Sequence, residues 1–226
     1  MYNLYVFQLP FTVGLIVKIL MQTIVNESHK QQYEQLITGL ISKEFGICDN
    51  FFSVDIIEEL RKNLLNSYEE GIMYRAGIGK DSEYTKDKEI RRDVICWIDE
   101  KSEDVTEKLF IQKMNDFIEY LNKTCYTSIN AFEFHYAYYD VGSFYKKHVD
   151  QFKKDNGRLF SFVMYLNDNW ETEDGGELVL YTKQKTEYVL PIGGRVVFFK
   201  SDVTEHEVKV ALTKPRLSIV GWMKNV

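Results

Sequence analysis

Apolar residues in the first 128 positions recur every three or four residues, a period typical of amphipathic helices. This period predicts helices over residues 33–45, 53–68 and 102–123. Ser53 is a candidate N-cap for the second helix, and Asp55 places a negative charge in its first turn, where the helix dipole favours it. The stretch "VICWI" at residues 94–98 predicts a short strand after a polar loop that contains glycine.

From residue 129 the period changes to two. "INAFEFHYAYY" places Phe132, Phe134, Tyr136 and Tyr138 on one face of a strand. Five further strand-like segments follow, separated by turn signals such as "EDGG" and "PIGG": "RLFSFVMYLN", "GELVLY", "GRVVFFK", "HEVKVAL" and "RLSIVGWM". Many short strands without helices between them predict a β-sandwich or jelly roll rather than a parallel sheet.

The first 25 residues are largely apolar, but Gln8, Pro10, Lys18 and Gln22 interrupt them, so they make a poor transmembrane span. They also lack the basic start and the small-residue cleavage site of a secretory signal. Two interpretations rank above membrane insertion. The segment is either packed against the domain, or it is an upstream extension of a protein whose natural start is Met21.

Composition and charge narrow the class of protein. The chain has 226 residues, enough for one full-sized domain, and a net charge of −6. Without a long basic run, that charge argues against nucleic-acid binding. Cys48, Cys96 and Cys125 lie far apart and lack CxxC spacing, which favours reduced thiols over disulfides or a zinc site. A cytoplasmic protein without membrane partners is therefore expected.

A candidate metal site begins at "FYKKHVDQF", where His148 and Asp150 stand two residues apart. Residues i and i+2 of a strand share one face, so both side chains can reach one ion. His206 is the best third ligand, and two imidazoles with one carboxylate form the facial triad of non-haem Fe(II) oxygenases. The alternative is a chance pair of polar residues near a turn. His29 lies in a polar segment, and His135, on the strand face opposite the aromatic residues, is predicted to be solvated.

A 2-oxoglutarate (2OG) co-substrate would need a cation for its distal carboxylate. Arg216 stands ten residues after His206 and begins the last predicted strand, so its guanidinium could bind that carboxylate through two hydrogen bonds. Lys214 is a rival with the same strand parity. The alternative for Arg216 is an ordinary salt bridge at the end of a strand.

These residues carry a family resemblance. From "GICDNFFS" to "GWMK" the chain resembles the Fe(II)- and 2OG-dependent prolyl 4-hydroxylases, above all the hypoxia-inducible-factor prolyl hydroxylases and their bacterial relatives. The strongest stretches are "YYDVGSFYKKHVD", "RLFSFVMYLNDNW", "EDGGELVLY", "HEV" and "RLSIVGW", supported by "KDKEIRRDVICWID". The resemblance implies a mainly β (α+β) fold with flanking helices, whose double-stranded β-helix (jelly roll) core follows N-terminal helices.

The resemblance also implies a domain layout. Residues 1–43 would be an N-terminal extension and first helix, and residues 44–226 would be the dioxygenase domain. Within that domain, residues 44–128 would form helical support and residues 129–226 the double-stranded β-helix core.

The resemblance further implies roles for particular residues. The Fe(II) ligands would be His148, Asp150 and His206. Arg216 would pair with the distal carboxylate of 2OG, Tyr165 would donate a hydrogen bond to it, and Tyr138 would lie beside the iron and 2OG. Residues that shape the substrate channel or hold a mobile loop would be Arg158, Trp222, Tyr145, Arg91 and Asp93. For the tyrosines the alternative is ordinary aromatic core, and for the other five it is surface ion pairs or packing.

The implied reaction is hydroxylation of a prolyl residue in an exposed segment of a protein substrate, with O2 consumed and succinate and CO2 as co-products. Ascorbate is a further candidate cofactor, and residues 77–92 would form a lid over the substrate. The runner-up is a hydroxylase of a small molecule or free amino acid, and a third alternative is a cupin-like binding module without turnover.

The spacing from His206 to Arg216 is one residue longer than in the animal enzymes of the family, which is one departure from the family pattern. Two further residues qualify these expectations. Val220 stands where the hypoxia-type enzymes carry a threonine, which could alter reactivity toward oxygen. Trp222 stands where the nucleic-acid demethylases of the superfamily usually carry a second arginine, which argues against DNA or RNA repair.

Overall fold

The computed structural model describes residues 11–77, 89–151 and 157–226, with side chains described from residue 26 onward. Three α-helices are described in the first 124 residues, with short strands between them: α1 (Phe11–Lys43), α2 (Val54–Glu69) and α3 (Val105–Thr124). Ser53 is the N-cap of α2 by position, although its side chain makes no capping hydrogen bond. Asp104 caps α3 by accepting from the backbone N–H groups of Thr106 and Glu107. Within the described residues, no helix combines the length and the apolar character needed to cross a bilayer.

Eleven strands are described, and all their pairings are antiparallel. In chain order they are β1 (Phe45–Cys48), β2 (Tyr74–Arg75), β3 (Val94–Trp97), β4 (Ala131–Tyr139), β5 (Tyr145–His148), β6 (Arg158–Tyr165), β7 (Leu178–Tyr181), β8 (Thr186–Val189), β9 (Val196–Lys200), β10 (Glu205–Val208) and β11 (Arg216–Lys224). The six predicted strands after residue 129 and the "VICWI" strand are confirmed. Strands β1, β2 and β8 were not predicted from the sequence, because they are short and carry little alternation. The first predicted helix ends at Lys43 rather than residue 45.

The strands form two sheets. A seven-stranded sheet has the order β1-β9-β6-β11-β4-β3-β2, and a four-stranded sheet has the order β5-β10-β7-β8. Two antiparallel sheets preceded by helices confirm the predicted jelly-roll architecture.

The seven-stranded sheet is buried on both faces. Its outer face packs against the three helices, with Phe134 and Phe162 of the sheet meeting Phe110 of α3. Its inner face packs against the four-stranded sheet, as Val163 and Leu178 illustrate. Helix α1 shares the outer core, because Leu36 is fully buried there. The candidate site lies between the two sheets, where polar residues replace part of the inner core.

Candidate active site

Two histidines face each other across neighbouring strands of the small sheet. His148 at the end of β5 pairs directly with His206 of β10. The Nε2 atom of His148 lies 3.4 Å from Asp150 Oδ1, and Nε2 of His206 lies 3.7 Å from Asp150 Oδ2. Ligand atoms of the three residues lie within 4.8 Å of one another. This is the donor set of a 2-His-1-carboxylate iron centre.

The other ring nitrogens fix how the histidines are presented. Nδ1 of His148 lies 2.8 Å from the Lys146 carbonyl oxygen, and Nδ1 of His206 lies 3.0 Å from that of Thr204. In a neutral imidazole such a contact makes Nδ1 the donor and leaves the Nε2 lone pair free for a metal. Both Nε2 atoms face Asp150, so the histidines fit Fe(II) without rearrangement of the rings.

Asp150 reaches the site in a way that strand alternation does not explain. Strand β5 ends at His148, so Asp150 lies beyond it, and the expectation that both residues share a strand face is wrong. Hydrogen bonds from the large sheet hold it instead: Ser161 donates to Asp150 Oδ2 at 2.7 Å, and Arg158 donates to its backbone carbonyl at 3.1 Å. Ser161 also contacts the hydroxyl of Ser201 at 2.8 Å.

The electrostatics of His206 and Asp150 favour the protonation states that a metal needs. Burial and the neighbouring His148 lower the pKa of His206 to about 4, so His206 is neutral at pH 7. Burial alone would raise the pKa of Asp150. The nearby histidines and the Ser161 hydroxyl outweigh that effect and hold the pKa well below its usual range. A neutral imidazole and an ionised carboxylate are the ligating forms.

A buried arginine, Arg216, is the first residue of β11 and lies on the inner face of that strand. Arg216 has 1% of its surface exposed, donates from Nε to the Gly176 carbonyl at 2.8 Å, and contacts Ser218 Oγ at 3.3 Å. No carboxylate among the described residues pairs with it. The guanidinium carbon also lies 4.9 Å from the ring centre of Tyr165. A buried positive charge of this kind needs an anionic partner.

Tyr165 supplies a second unused group at the same place. Its hydroxyl is buried and has no hydrogen-bond partner within the described part of the chain. Burial raises its pKa, so the hydroxyl stays protonated and can donate. A buried donor beside an unpaired guanidinium fits a bound carboxylate, as 2OG would supply, and buried polar groups are rarely left without partners.

Lys214 does not compete for this position. Its Nζ lies 2.9 Å from Asp174 Oδ2 and donates to the Asn169 carbonyl at 2.6 Å. It is partly exposed and does not line the pocket that contains Arg216. Pairing with Asp174 leaves Arg216 as the residue placed to hold an anion.

The triad and Arg216 line one cavity of about 330 Å³. Its apolar wall is formed by Ile95, Ala137, Val163, Leu178, Val208 and Val220. A cavity with an apolar wall and a few convergent polar groups is typical of a small-ligand or active site.

Tyr138 does not lie where the sequence comparison with the hydroxylase family placed it. It faces the helices and stacks on Tyr68 with ring centres 3.8 Å apart, so its predicted position beside the iron and 2OG is wrong. The next residue, Tyr139, lines the cavity, and its ring centre lies 5.1 Å from the Arg216 guanidinium carbon. Parity along β4 explains the difference, since adjacent residues of a strand point to opposite faces.

A stack of side chains reaches His148 from the side of β3. Arg91 binds Asp93 through two hydrogen bonds, of 2.7 and 2.5 Å, and Asp93 is almost fully buried. The guanidinium of Arg91 lies 4.3 Å from the ring centre of Tyr145, which stacks on His148 at 3.6 Å. The structure therefore links these three predicted residues to the metal site through His148. The predicted lid falls mostly on residues 78–88, which lie outside the described residues.

At the end of the cavity farther along β11 from Arg216, here called its outer end, His135 packs against two indole rings. Its ring centre is 4.9 Å from that of Trp97 and 5.5 Å from that of Trp222. It is 2% exposed, so the expectation that it is solvated is wrong. The guanidinium carbon of Arg158 lies 3.5 Å from the Trp222 ring centre, and Arg158 pairs with Glu133 at 2.9 Å. Both Arg158 and Trp222 line the cavity, as the substrate-channel prediction requires.

Sequence reasoning missed Tyr139, His135 and Ser161. The alternation of side chains along β4 could have identified Tyr139 and His135. Both lie on the strand face opposite the row of aromatic residues, which is the face directed toward Arg216 and the cavity. Ser161 is the one polar residue of the apolar run "LFSFVM" within the predicted strand "RLFSFVMYLN", a weak signal of a buried polar contact.

Comparison with solved structures gives two close resemblances along most of the chain. A prolyl-4-hydroxylase from Pseudomonas putida superposes with a TM-score of 0.78 at 28% identity, covering 86% of this chain and 99% of that one. A prolyl hydroxylase from Trichoplax adhaerens, solved with a peptide fragment of the hypoxia inducible factor oxygen degradation domain, has a TM-score of 0.80 at 26% identity. It covers 89% of this chain and 93% of that one.

Sequence comparison gives shorter matches. Prolyl 3-hydroxylase OGFOD1 of Mus musculus is 37% identical over 76 residues, which are 29% of this chain and 14% of that protein. A PKHD-type hydroxylase of Prochlorococcus marinus (strain MIT 9313) is 33% identical over 86 residues, 38% of each chain. The chain thus matches well under half the length of these curated relatives. The family profile of the 2OG-Fe(II) oxygenase superfamily matches residues 134–224, which contain the triad, Tyr165 and Arg216. Over residues 134–224 the chain is similar to a 2OG-Fe(II) oxygenase domain.

Proposed function

We propose that this protein is an Fe(II)- and 2OG-dependent dioxygenase that hydroxylates a prolyl residue of a protein substrate, with succinate and CO2 as co-products. The observation that carries the proposal is the pairing of two incomplete sites in one cavity. One is the His148–Asp150–His206 ligand set, and the other is the unpaired Arg216 guanidinium beside the unpartnered Tyr165 hydroxyl. A metal and a dicarboxylate are the two groups that complete them.

Each residue then has a task that follows from its surroundings. His148, Asp150 and His206 would hold the Fe(II), and Arg216 with Tyr165 would bind the distal carboxylate of 2OG. When bound, the iron supplies the redox chemistry by which O2 oxidises both 2OG and the substrate. Ser161 keeps Asp150 turned toward the histidines, and the apolar wall excludes water from the reacting groups.

A prolyl substrate is supported by the relatives and by the shape of the outer cavity. Both close solved structures are prolyl hydroxylases, and the Trichoplax adhaerens enzyme was solved with a peptide bound. Trp222 and Arg158 line the outer part of the cavity and Tyr145 lines it beside His148, and aromatic faces suit the flat apolar ring of proline. Arg91 and Asp93 would hold the substrate-covering loop through their position at its end.

The experiment that tests this function measures transfer of oxygen to proline. Cell lysate treated with enzyme, Fe(II), 2OG and ascorbate should gain one oxygen on particular prolines of a protein, detected by mass spectrometry. Asp150→Ala enzyme is the control, because loss of the carboxylate should abolish both turnover and metal binding. Succinate release that depends on a free amino acid or metabolite, with no protein gaining oxygen, would favour the runner-up function of a small-molecule hydroxylase. Ascorbate dependence and a cytoplasmic location stay predictions from the sequence.

A further inference from the structure

We infer that His135 is a substrate-specificity residue, which together with Trp222 donates hydrogen bonds to backbone carbonyl oxygens of the bound substrate. This inference rests on the proposed function and names the groups that recognise the peptide. It assigns a role to a histidine outside the metal triad, on the strand β4.

Two unpartnered polar atoms lie close together in the outer half of the cavity. His135 Nδ1 and Trp222 Nε1 are both buried and have no hydrogen-bond partner within the described residues. His135 is 2% exposed and Trp222 is 8% exposed, yet both line the cavity. Buried polar groups are nearly always paired in native proteins, so two unpaired atoms in one cavity indicate groups that a ligand satisfies.

The position of the pair assigns it to the substrate rather than to 2OG. Along β11, Arg216, Val220 and Trp222 line the cavity in that order, and His135 of β4 is the register partner of Val220. Arg216 would bind 2OG at the first end of this row. His135 and Trp222 lie toward the far end, so they remain for the second reactant.

The chemistry of the two atoms suits a prolyl peptide. An indole Nε1–H can only donate a hydrogen bond. Burial lowers the pKa of His135 to about 3, with Arg91 and Arg158 adding to the effect, so the ring is neutral. We assign its proton to Nδ1, the tautomer in which this nitrogen donates. A prolyl residue has no backbone N–H and offers only carbonyl oxygens as polar partners. A site with unused donors therefore complements this residue.

Three substitutions test the role of the His135 hydrogen bond. His135→Leu removes the donor, while His135→Asn keeps an amide N–H near the position of Nδ1. Trp222→Phe removes the indole N–H together with part of the ring volume, and keeps an aromatic ring near Arg158. Loss of one such bond should raise the KM for a prolyl peptide by about three- to tenfold, and His135→Asn should restore most of it. The Kd of 2OG, measured by calorimetry with Mn(II), should stay unchanged.

The probe is a set of short capped peptides that each carry one proline, taken from proteins that gain oxygen in the lysate experiment. A peptide with a thioamide beside the reactive proline, whose sulfur is a poorer acceptor, should lose affinity for the wild-type enzyme. That loss should disappear in the variant that lacks the corresponding donor. His29→Leu is the matched control, since His29 lies in a different cavity on α1 and should leave the peptide KM unchanged.

The outcomes separate this inference from the proposed function. If the wild-type enzyme hydroxylates peptides and His135→Leu and Trp222→Phe keep the wild-type KM, the inference is wrong and the function stands. An equal rise in KM for His135→Leu and His135→Asn would show that the histidine only packs, which also overturns it. If no peptide gains oxygen and a small molecule does, the proposed function and the inference both fail.

Discussion

Replacing Arg216 by glutamine should weaken 2OG binding far more than the same change at Lys214. Arg216 is buried, donates to Gly176 and Ser218, and has no carboxylate partner within the described chain, so its charge is available to a ligand. Lys214 already pairs with Asp174. Arg216→Gln keeps a polar side chain for its neighbours and removes the charge, which isolates the effect on the ligand.

The magnitude follows from the type of bond that is lost. A hydrogen bond to a charged group contributes about 1.5–3 kcal/mol, which corresponds to roughly a ten- to more than hundredfold rise in Kd. Little solvent screening is expected, because Arg216 is only 1% exposed. Lys214→Gln should change the Kd by less than about twofold, since exposed ion pairs contribute about 0–1 kcal/mol.

The assay is isothermal titration calorimetry of 2OG into enzyme loaded with Mn(II), which holds the metal site without turnover. Circular dichroism of each variant checks that the fold is retained. A folded Arg216→Gln variant that binds 2OG as tightly as the wild type, or a larger loss in Lys214→Gln, would refute the reasoning and move the carboxylate site elsewhere.

Three further predictions concern the neighbourhood of the site. Ser161→Ala removes the hydrogen bond that orients Asp150 and should weaken Mn(II) binding by about ten- to a hundredfold in a metal titration, with Ser161→Thr retaining more affinity. Gly176→Ala should lower both the melting temperature and the 2OG affinity. Gly176 has φ +69°, which strains any other residue, and a Cβ there would lie 3.1 Å from Arg216 Cδ. An unchanged 2OG affinity would contradict this prediction. His135, with its pKa lowered from 6.5 to about 3, stays neutral in the folded state while the unfolded chain takes up a proton, so stability falls as pH falls below 6.5. Down to about pH 3, urea titrations of metal-free protein should show His135→Leu losing less stability than the wild type, with a difference of up to about 1.4 kcal/mol per pH unit.

The error at His135 shows what strand alternation can and cannot tell. Alternation correctly placed Phe134 and Tyr136 on one face of β4 and His135 on the other. It did not reveal that His135 is also buried, because that depends on Trp97 of β3 and Trp222 of β11, which lie far from it along the chain. In a sandwich with helices on one side, both faces of a central strand are covered.

The metal ligands were easier to predict than the groups that position them. His148, Asp150 and His206 are marked by residue type and by spacing, and the structure brings all three together. The hydrogen bond from Ser161 depends on the exact register of β6 against its neighbours, which a sequence pattern does not encode. Counting residues backward from His148 gave Tyr138 instead of Tyr139, because a one-residue difference in a turn reverses the face of every strand position before it.

The site also joins the two sheets to each other. His148 and His206 belong to the small sheet, whereas Ser161 and Arg216 belong to the large one. A metal bound by the histidines and Asp150, followed by a dicarboxylate that reaches Arg216, would act as a cross-brace between the two layers, adding to their apolar contacts and to the hydrogen bonds that Asp150 accepts. Ligand occupancy should therefore stiffen the whole sandwich, with amide exchange slowing on both sheets together, so that the cofactors serve as structural parts of the domain as well as reactants.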